Sequence, residues 1–433
     1  MIQFLFWWSY ENIFAGFFFE GGEVSMKGGY PSLREELSAW NLGITIIGVY
    51  YALEFGSFQY LYPFLCAKLP MLTAIAGLIY AFWILFSGQL KKSAFVAFYL
   101  LFCSYMMLNS YVLTSSPENR EVFLKLIATY MAYFVISTTV FGKFSALILI
   151  IDILLAFMAF SCLTGFLQGG LVWGNTWLGD ENIYAVFCCT GIPFAYVLLL
   201  RCKVKWKKLC YIICLFLFTV GVIQAASRGG FLSFLFIVFM FWQFSRKKIK
   251  VVMFSIILGL VILTVLPPNI IQEIENINVD EQKGESGERA YLWHLSINMF
   301  QDNKIFGIGM GNYGDMFLKY DQLNEARDRF GGINWRGQKM VAHSTPLTFL
   351  AETGLLGVSL LSFMLIMMLK QFYELKIWHQ DSLLRDLSRA SLISLTSFGI
   401  GSIFLTLTVY PFFYSIVWLS SAILNSSKLL QRD

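Results

Sequence analysis

The chain has 433 residues, of which 57% are hydrophobic, 18% are aromatic and only 14% are charged, and its mean hydropathy is +0.64. Soluble domains carry about 25% charged and about 45–50% apolar residues. The composition therefore excludes a soluble globular protein and predicts an all-helical integral membrane protein. The net charge of +5 is small for this length, and we expect no nucleic-acid partner.

Apolar runs recur along the whole chain, and many reach the roughly 20 residues that a helix needs to cross about 30 Å of hydrocarbon. We predict twelve transmembrane helices, near residues 40–60, 70–89, 93–114, 121–141, 144–167, 182–200, 207–226, 230–245, 249–267, 344–369, 388–408 and 410–426. Residues 1–19 are aromatic but polar in the middle, and they lack a basic start and a cleavage site. They are predicted to form an interfacial helix rather than a signal peptide or a further span.

The basic residues predict the orientation. Lysines and arginines concentrate in alternate loops, whereas the short loops between these hold only Lys68, Arg120 and Arg228. By the positive-inside rule, both termini are cytoplasmic and the long polar segment after the ninth span is extracytoplasmic. The predicted units are a cytoplasmic or interfacial segment (1–38), helices one to nine (39–266), an extracytoplasmic subdomain (267–343), and helices ten to twelve with a cytoplasmic tail (344–433).

Few ionisable side chains fall inside the predicted spans, the main ones being Glu54, Lys125, Asp152 and Glu352. Ion-coupled carriers usually need more intramembrane charge, and no internal repeat indicates a transporter. Hydrogen bonds to neighbouring helices, or positions nearer the interface, are the simple explanations for Glu54 and Asp152. The eight cysteines lie in or beside apolar spans, so we expect buried apolar side chains rather than disulfides or a metal site.

The extracytoplasmic segment divides into recognisable pieces. Ser286 is predicted to cap a helix over residues 290–300. The glycine-rich stretch 307–314 follows a helix and not a strand, so it predicts a tight backbone path packed on the membrane domain rather than a dinucleotide site. The polar stretch 319–339 has the character of a lid. Thr345-Pro346 is predicted to open the next membrane helix, with Thr345 as its cap.

Two arginines lie at the predicted outer face. Arg228 stands in Ser227-Arg228-Gly229-Gly230 between two apolar spans, where a charge is costly and the glycines let a backbone or a ligand come close. Arg289 is expected in the first turn of its helix, where a cation opposes the helix dipole unless an anion binds there. The alternatives are a structural ion pair for Arg228 and a solvated or carboxylate-paired side chain for Arg289.

His343 precedes Ser344-Thr345-Pro346 at the predicted mouth of a membrane helix. The positive end of the helix dipole disfavours the imidazolium form, so the neutral ring would be able to accept a proton as a general base. A purely structural histidine is the alternative. His294, on the packed helix, and His379, on the cytoplasmic side, are weaker candidates.

Asp180 and Asn182 open another span at the same face, after Trp173 and Trp177. Residues of this type at a helix start are ordinarily caps. No Asp-X-Asp motif occurs in a predicted outer loop, which counts against a metal-assisted sugar-nucleotide enzyme. Two arginines can stabilise a diphosphate leaving group in place of a metal, a histidine can take the proton of an attacking sugar hydroxyl, and a multi-span protein gives a polyprenyl tail access from the lipid.

These motifs resemble those of the O-antigen ligase and O-antigen polymerase superfamily. The resemblance rests on the stretches 227–230, 288–293, 306–313, 342–347 and 351–357, in this order around one large outer loop. Asp180-Glu181-Asn182 resembles the Asp-Pro-Asn motif of the family, with Glu in place of Pro. The similarity covers roughly residues 179–360, and earlier residues agree only in forming membrane spans.

The resemblance implies a GT-C-like bundle of about a dozen helices with a large periplasmic loop, in a bacterial inner membrane. Family members transfer a glycan from a polyprenyl diphosphate carrier such as undecaprenyl diphosphate, with inversion and without a metal or another cofactor. It further implies that Arg228 and Arg289 bind the diphosphate and that His343 assists the acceptor hydroxyl. The supporting positions are Glu352, Asp180, Asn182 and Trp293, although Glu352 could equally serve packing.

Two activities occur within this family. A polymerase extends the lipid-linked chain of an O-antigen, capsule or exopolysaccharide, whereas a ligase moves the finished chain to lipid A core or to a protein. We favour a polymerase because no feature marks lipid A or a protein as the acceptor. A lipid-linked oligosaccharide flippase is a more distant alternative, since it predicts an inverted repeat and a charged central cavity. The expected partners are the lipid-linked donor, a glycan acceptor and the bilayer, with a chain-length regulator and a flippase as further candidates.

Overall fold

A computed structural model describes residues 30–62, 68–90, 93–140, 144–172, 175, 178–244, 285–321, 340–378 and 382–430. Within these ranges the regular structure is entirely helical. The helices are α1 (Leu33–Ser38), α2 (Leu42–Glu54), α3 (Phe58–Leu61), α4 (Leu69–Phe86), α5 (Ala94–Leu113), α6 (Pro117–Val140), α7 (Phe144–Leu167), α8 (Glu181–Arg201), α9 (Lys205–Gln224), α10 (Arg228–Phe244), α11 (Glu285–Asp302), α12 (Tyr313–Tyr320), α13 (Thr345–Trp378), α14 (Ser382–Ser402) and α15 (Pro411–Leu430). The predicted interfacial helix 1–19, the predicted span 249–267 and nearly all of the predicted lid lie outside the described residues.

Seven of the described helices are long and apolar enough to cross a membrane, namely α4 to α9 and the 345–370 part of α13. Helices α2, α10 and α15 provide shorter apolar segments. A multi-pass, all-helical membrane protein is therefore confirmed, while the total of twelve spans and the GT-C-like arrangement stay predictions.

The predicted first span, 40–60, is not one continuous helix. Helix α2 ends at Glu54, and Ser57 adopts a left-handed backbone with a φ of 58° before the single turn of α3. The buried Ser57 hydroxyl lies 2.9 Å from the Ser161 hydroxyl and accepts a hydrogen bond from the Asn175 amide at 2.8 Å. These polar contacts hold the chain in a turn where hydropathy alone predicts a helix.

Helix α8 forms the centre of the bundle. In its most apolar stretch of 18 residues, 94% of the residues are buried, against 22% in the peripheral α4. Small residues let its neighbours come close. A Cβ atom added to Gly230 of α10 would lie 2.2 Å from the Ala185 Cβ of α8, and one added to Gly221 of α9 would lie 2.7 Å from the Cys188 sulfur. Close backbone approach of this kind drives association between helices in lipid, where the hydrophobic effect does not.

A cluster of aromatic side chains joins α2, α5, α6 and α15. The rings of Tyr50 and Tyr133 stack with centroids 4.5 Å apart, and the Tyr133 ring lies 5.8 Å from that of Trp418. The Trp418 indole N–H donates to the Tyr99 hydroxyl at 3.2 Å. The rings thus supply apolar contact, and the polar atoms of Trp418 and Tyr99 bond to each other.

The carboxylate of Asp152, in the middle of α7, has partners on a neighbouring helix, as expected. Asp152 accepts a hydrogen bond from the Tyr211 hydroxyl at 2.6 Å and pairs with the Lys207 ammonium at 2.7 Å. Lys207, which is only 5% exposed, also pairs with Glu36 of α1. This buried network attaches α1 to α7 and α9.

The cysteines also match the expectation of buried apolar side chains. The seven in the described ranges are free thiols, and six of them are buried. The Cys162 and Cys188 sulfurs lie 3.5 Å apart between α7 and α8. Cys66 lies outside the described residues.

We expect Gly230→Ala to destabilise the protein, because its methyl group would overlap Ala185 and force α8 and α10 apart. Overpacking of this kind costs about 1–3 kcal/mol. Gly229→Ala is the matched control, since its added Cβ would lie 3.8 Å from Phe404, an ordinary contact. Thermal unfolding of the detergent-purified variants measures the difference, and equal midpoints would contradict the close contact.

Candidate functional site

Arg228 is the first residue of α10 and is exposed at one end of the bundle. Ser227 caps this helix, because its hydroxyl accepts a backbone N–H in the first turn at 3.1 Å. The same hydroxyl donates to the Asn182 side-chain oxygen at 2.7 Å. Asp180 caps α8 by accepting two backbone N–H groups, both at 2.9 Å. The structure therefore brings Asp180 and Asn182 beside the start of the Arg228 helix, and it confirms the cap role of Asp180.

His343 lies just before α13, at the same end of the bundle. The prediction that Thr345 caps this helix is wrong, because the helix already begins at Thr345 and the Ser344 carbonyl accepts its first hydrogen bond, at 2.9 Å. The Thr345 hydroxyl instead bonds the loop after α14, donating to the Leu405 carbonyl at 2.5 Å and accepting the Leu407 N–H at 2.8 Å.

The loop after α14 connects the two candidate groups. Thr345, two residues after His343, is hydrogen-bonded to Leu405, as described above. Phe404, the preceding residue, lies beside Gly229, the residue after Arg228, because a Cβ added to Gly229 would be 3.8 Å from the Phe404 Cβ. Residues next to Arg228 and near His343 thus lie beside the same short loop, although 115 positions separate Arg228 and His343 in the sequence.

The backbone is strained at both places. Among the described residues other than glycine, a positive φ occurs at Ser57, at Ala226 with 53° and at His343 with 47°. One of these positions is His343 itself, and Ala226 lies two residues before Arg228. Such a conformation costs about 1–2 kcal/mol for an ordinary L-residue and concentrates at functional sites.

Helix α13 is interrupted at Gly354, whose φ of 64° and ψ of −167° are not helical. The interruption releases backbone groups that a continuous helix would pair. The loop after α11 and one tyrosine bind these groups. Ile308 N donates to Ala351 O at 2.9 Å and Gly309 N to Glu352 O at 3.0 Å, while Lys304 O accepts from Leu355 N at 2.8 Å and Ile305 O from Leu356 N at 3.2 Å. The Tyr105 hydroxyl donates to Thr353 O at 2.6 Å. The broken helix and the loop therefore satisfy each other.

The glycine-rich stretch also contacts α5 on its other side. The Asn109 side chain donates to the Phe306 carbonyl at 2.7 Å and accepts the Met310 N–H at 2.8 Å. A Cβ added to Gly309 would lie 2.8 Å from the backbone at the end of α5. The predicted tight path packed on the membrane domain is confirmed. Sequence reasoning missed Asn109, although an amide in an apolar run was the available signal.

Glu352 lies beside this interruption and is 3% exposed. One carboxylate oxygen accepts the backbone N–H of Tyr313, the first residue of α12, at 3.1 Å. The other has no hydrogen-bond partner among the described residues. The Tyr313 hydroxyl donates onward to the Leu292 carbonyl of α11 at 2.9 Å, and burial raises the pKa of Tyr313 above its usual range, so the phenol stays a neutral donor. Glu352 thus links α13 to α12 and α11.

Arg289 lies on α11, which begins at Glu285. The predictions that Ser286 caps this helix and that Arg289 lies in its first turn are therefore wrong. The dipole argument for a bound anion at Arg289 no longer applies.

Helix α11 packs beside His343 through a small apolar cluster that includes Tyr291, Leu292 and Ala342. Arg289 lies two residues before Tyr291, and His343 directly follows Ala342. Trp293 is half-buried, and its indole nitrogen is buried without an acceptor among the described residues. His294 is exposed on the same helix. The described residues contain no group of three His, Cys, Asp or Glu side chains placed to hold a metal ion.

We expect Gly354→Ala to lower stability sharply, because a Cβ there would lie 2.4 Å from the Ile305 carbonyl oxygen and would meet a backbone conformation nearly restricted to glycine. Gly399→Ala in α14 is the control, since its added Cβ has no atom within 4 Å. The melting temperature and the monodisperse yield of both variants test this. A Gly354→Ala protein as stable as the control would show that the interruption is not required.

The region just described is similar to a known protein family. A family model described as O-Antigen ligase matches residues 213–362, about a third of the chain. The matched stretch begins in α9 and ends in α13, so it includes Arg228, Arg289, His343 and Glu352. No curated protein matches the chain. Residues 213–362 are therefore similar to the O-antigen ligase family, in agreement with the resemblance of the sequence motifs to the O-antigen ligase and O-antigen polymerase superfamily.

Proposed function

We propose that this protein polymerises polyprenyl-diphosphate-linked oligosaccharide repeat units into a surface polysaccharide on the outer face of the cytoplasmic membrane. The observation that supports this best is that Gly229, next to Arg228, and Thr345, two residues after His343, both lie against the loop that contains Phe404 and Leu405. Helix α11, which carries Arg289, packs against the residue that precedes His343. A cationic pair and a proton acceptor are the groups that a metal-independent transfer from a diphosphate carrier needs.

The reaction is a displacement at the anomeric carbon of the donor glycan. An acceptor hydroxyl oxygen forms the new bond to this carbon while the bond to the diphosphate oxygen breaks on the opposite face, which inverts the configuration. Negative charge grows on the departing diphosphate. Arg228 and Arg289 bind that charge with paired N–H donors, and losing one such preorganised donor typically costs about 10²–10³ in rate.

His343 accepts the proton of the attacking hydroxyl. A neutral imidazole can do this only if its ring is held towards the acceptor. The left-handed backbone at His343 and the hydrogen bonds of Thr345 to the neighbouring loop fix the backbone from which the imidazole side chain extends. The strain at this position fits a residue retained for its chemistry rather than for packing.

The supporting residues hold these groups in place. Asp180 caps α8, Asn182 bonds Ser227 at the start of the Arg228 helix, and Glu352 ties α12 and α11 to the membrane domain. Trp293 lies on α11, about one turn after Arg289. Each acts through position, so their loss should reduce the rate less than the loss of Arg228 or His343.

A ligase is the second candidate, because the matching family model is described as O-Antigen ligase. The same displacement chemistry serves both activities, and only the acceptor differs. A ligase would pass the finished glycan to lipid A core or to a protein, whereas a polymerase passes it to another lipid-linked repeat unit.

We expect His343→Asn to remove activity by at least about 10²-fold without a change in melting temperature. Asparagine tolerates the left-handed backbone well but cannot act as the base. His343→Ala should also be inactive but less stable, because alanine retains the strain. Turnover by the His343→Asn protein at the wild-type rate would contradict the assignment of the base.

We expect Arg228→Lys to be nearly as inactive as Arg228→Ala, since an ammonium cannot copy the paired N–H donors of a guanidinium. Arg120→Lys is the control, because that arginine is also predicted to lie at the outer face but belongs to α6. Single-turnover transfer from the lipid-linked donor measures all three variants. Equal rates for Arg228→Lys and the wild-type protein would exclude Arg228 as a diphosphate ligand.

The decisive assay supplies purified protein with a polyprenyl-diphosphate-linked repeat unit as both donor and acceptor. A polymerase is expected to produce a ladder of lengthening lipid-linked products on a gel. Transfer that occurs only after lipid A core or a protein is added would identify a ligase. The absence of transfer to any of these acceptors would contradict both.

A further inference from the structure

A cluster of three arginines lies at the opposite end of the bundle from the candidate site. Arg201 is the last residue of α8, and the 21 residues of that helix span about 30 Å from the Asp180 cap. Arg385 and Arg389 belong to the first two turns of α14, which packs against α8. The proposed polysaccharide chemistry uses none of these three residues.

One carboxylate, Asp386, lies among these arginines. Its Oδ2 atom accepts the Arg201 Nε at 2.8 Å and also the Arg201 Nη2, and its Oδ1 atom lies 3.2 Å from the Arg389 Nη1. Asp386 is 4% exposed, whereas the Arg201 and Arg389 side chains are 23% and 22% exposed. Three guanidinium groups around one carboxylate leave a local charge of about +2, and Arg385 and Arg201 both repel the charge of Arg389.

The arginines have unused donors. The Nε atoms of Arg385 and Arg389 are buried and have no hydrogen-bond partner among the described residues. The Arg389 guanidinium also lies 5.2 Å from the centre of the Phe244 ring of α10, which positions it from one side. A buried N–H donor without an acceptor is costly, so an added anion with several oxygens would stabilise this cluster.

We propose that Arg201, Arg385 and Arg389 form a binding site for the phosphate group of an anionic phospholipid headgroup. Guanidinium forks match phosphate oxygens in geometry and charge. The cluster lies where α8 ends and α14 begins. Trp206, in the first turn of the next helix α9, is 54% exposed, as is typical of an aromatic residue at the membrane interface. Basic pockets between helices on the cytoplasmic side are suited to anionic headgroups, and this is the end that the positive-inside rule assigns to the cytoplasm.

The test is native mass spectrometry of the full-length protein in neutral detergent, titrated with phosphatidylglycerol, with phosphatidylcholine or with inorganic phosphate. We expect one saturable phosphatidylglycerol to bind, with at least tenfold preference over phosphatidylcholine. The double variant Arg385→Gln/Arg389→Gln should weaken phosphatidylglycerol binding about 25-fold, because each basic side chain near an anionic surface contributes a factor of about five. Arg385→Lys/Arg389→Lys should recover part of this affinity.

The matched control is Lys203→Gln/Lys208→Gln, which removes the same two charges at the same end of the bundle but outside the cluster. It should weaken binding less than threefold. An equal loss in both double variants would show diffuse attraction and overturn the site. Phosphatidylcholine binding as strong as that of phosphatidylglycerol would also overturn it, and this outcome needs only the wild-type protein. Inorganic phosphate that binds as tightly as the lipid, or displaces it, would replace the headgroup by a free anion and overturn the lipid assignment.

Discussion

The arrangement of the candidate site depends on the interruption of α13 at Gly354. In a membrane protein, every backbone N–H and C=O released by a helix break needs a partner within the protein. Here the loop after α11 supplies those partners by exchanging hydrogen bonds between residues 304–309 and residues 351–356. Glycine occupies both sides of the contact, because a Cβ at Gly307 or Gly354 would lie 2.4 Å from the opposite backbone. Helices α11 and α12 are thereby joined to the membrane domain.

The same contact determines where the chemistry can take place. Glu352 extends the connection to α12, and Tyr313 extends it to α11, which carries Arg289 and Trp293. The first half of α13 carries His343 at its start and meets the loop beside Gly229, which follows Arg228. Backbone hydrogen bonds at the break therefore join α13 to the loop after α11, and the Thr345 hydroxyl joins the start of α13 to the loop after α14. Loss of the backbone set should displace α11 relative to α13.

The two ends of the bundle use charge in different ways. At the end that carries Arg228 and His343, the strain of a left-handed backbone accompanies the candidate groups. At the other end, Lys207 joins Glu36 and Asp152 in a buried network, while Arg201 and Arg389 share the Asp386 carboxylate and Arg385 and Arg389 keep unused donors. A buried cation enclosed by carboxylates is a structural element, whereas an excess of guanidinium groups suits an anionic ligand.

The amino-acid sequence by itself determined that the chain is a multi-span helical membrane protein, because apolar length and the shortage of charge are local properties that need no partner. Its motifs around the outer segment also indicated the resemblance to the O-antigen ligase and O-antigen polymerase superfamily, and the glycine-rich stretch indicated a packing role. Only the tertiary structure decided that the first predicted span is interrupted at Ser57, that α11 begins at Glu285, and that the Thr345 hydroxyl binds the loop after α14 rather than capping its own helix. Only the tertiary structure likewise decided the break at Gly354, its pairing with the loop after α11 and the contact of that loop with Asn109. Each depends on which distant groups meet, and hydrogen bonds between segments far apart in the chain leave no periodic pattern in the sequence.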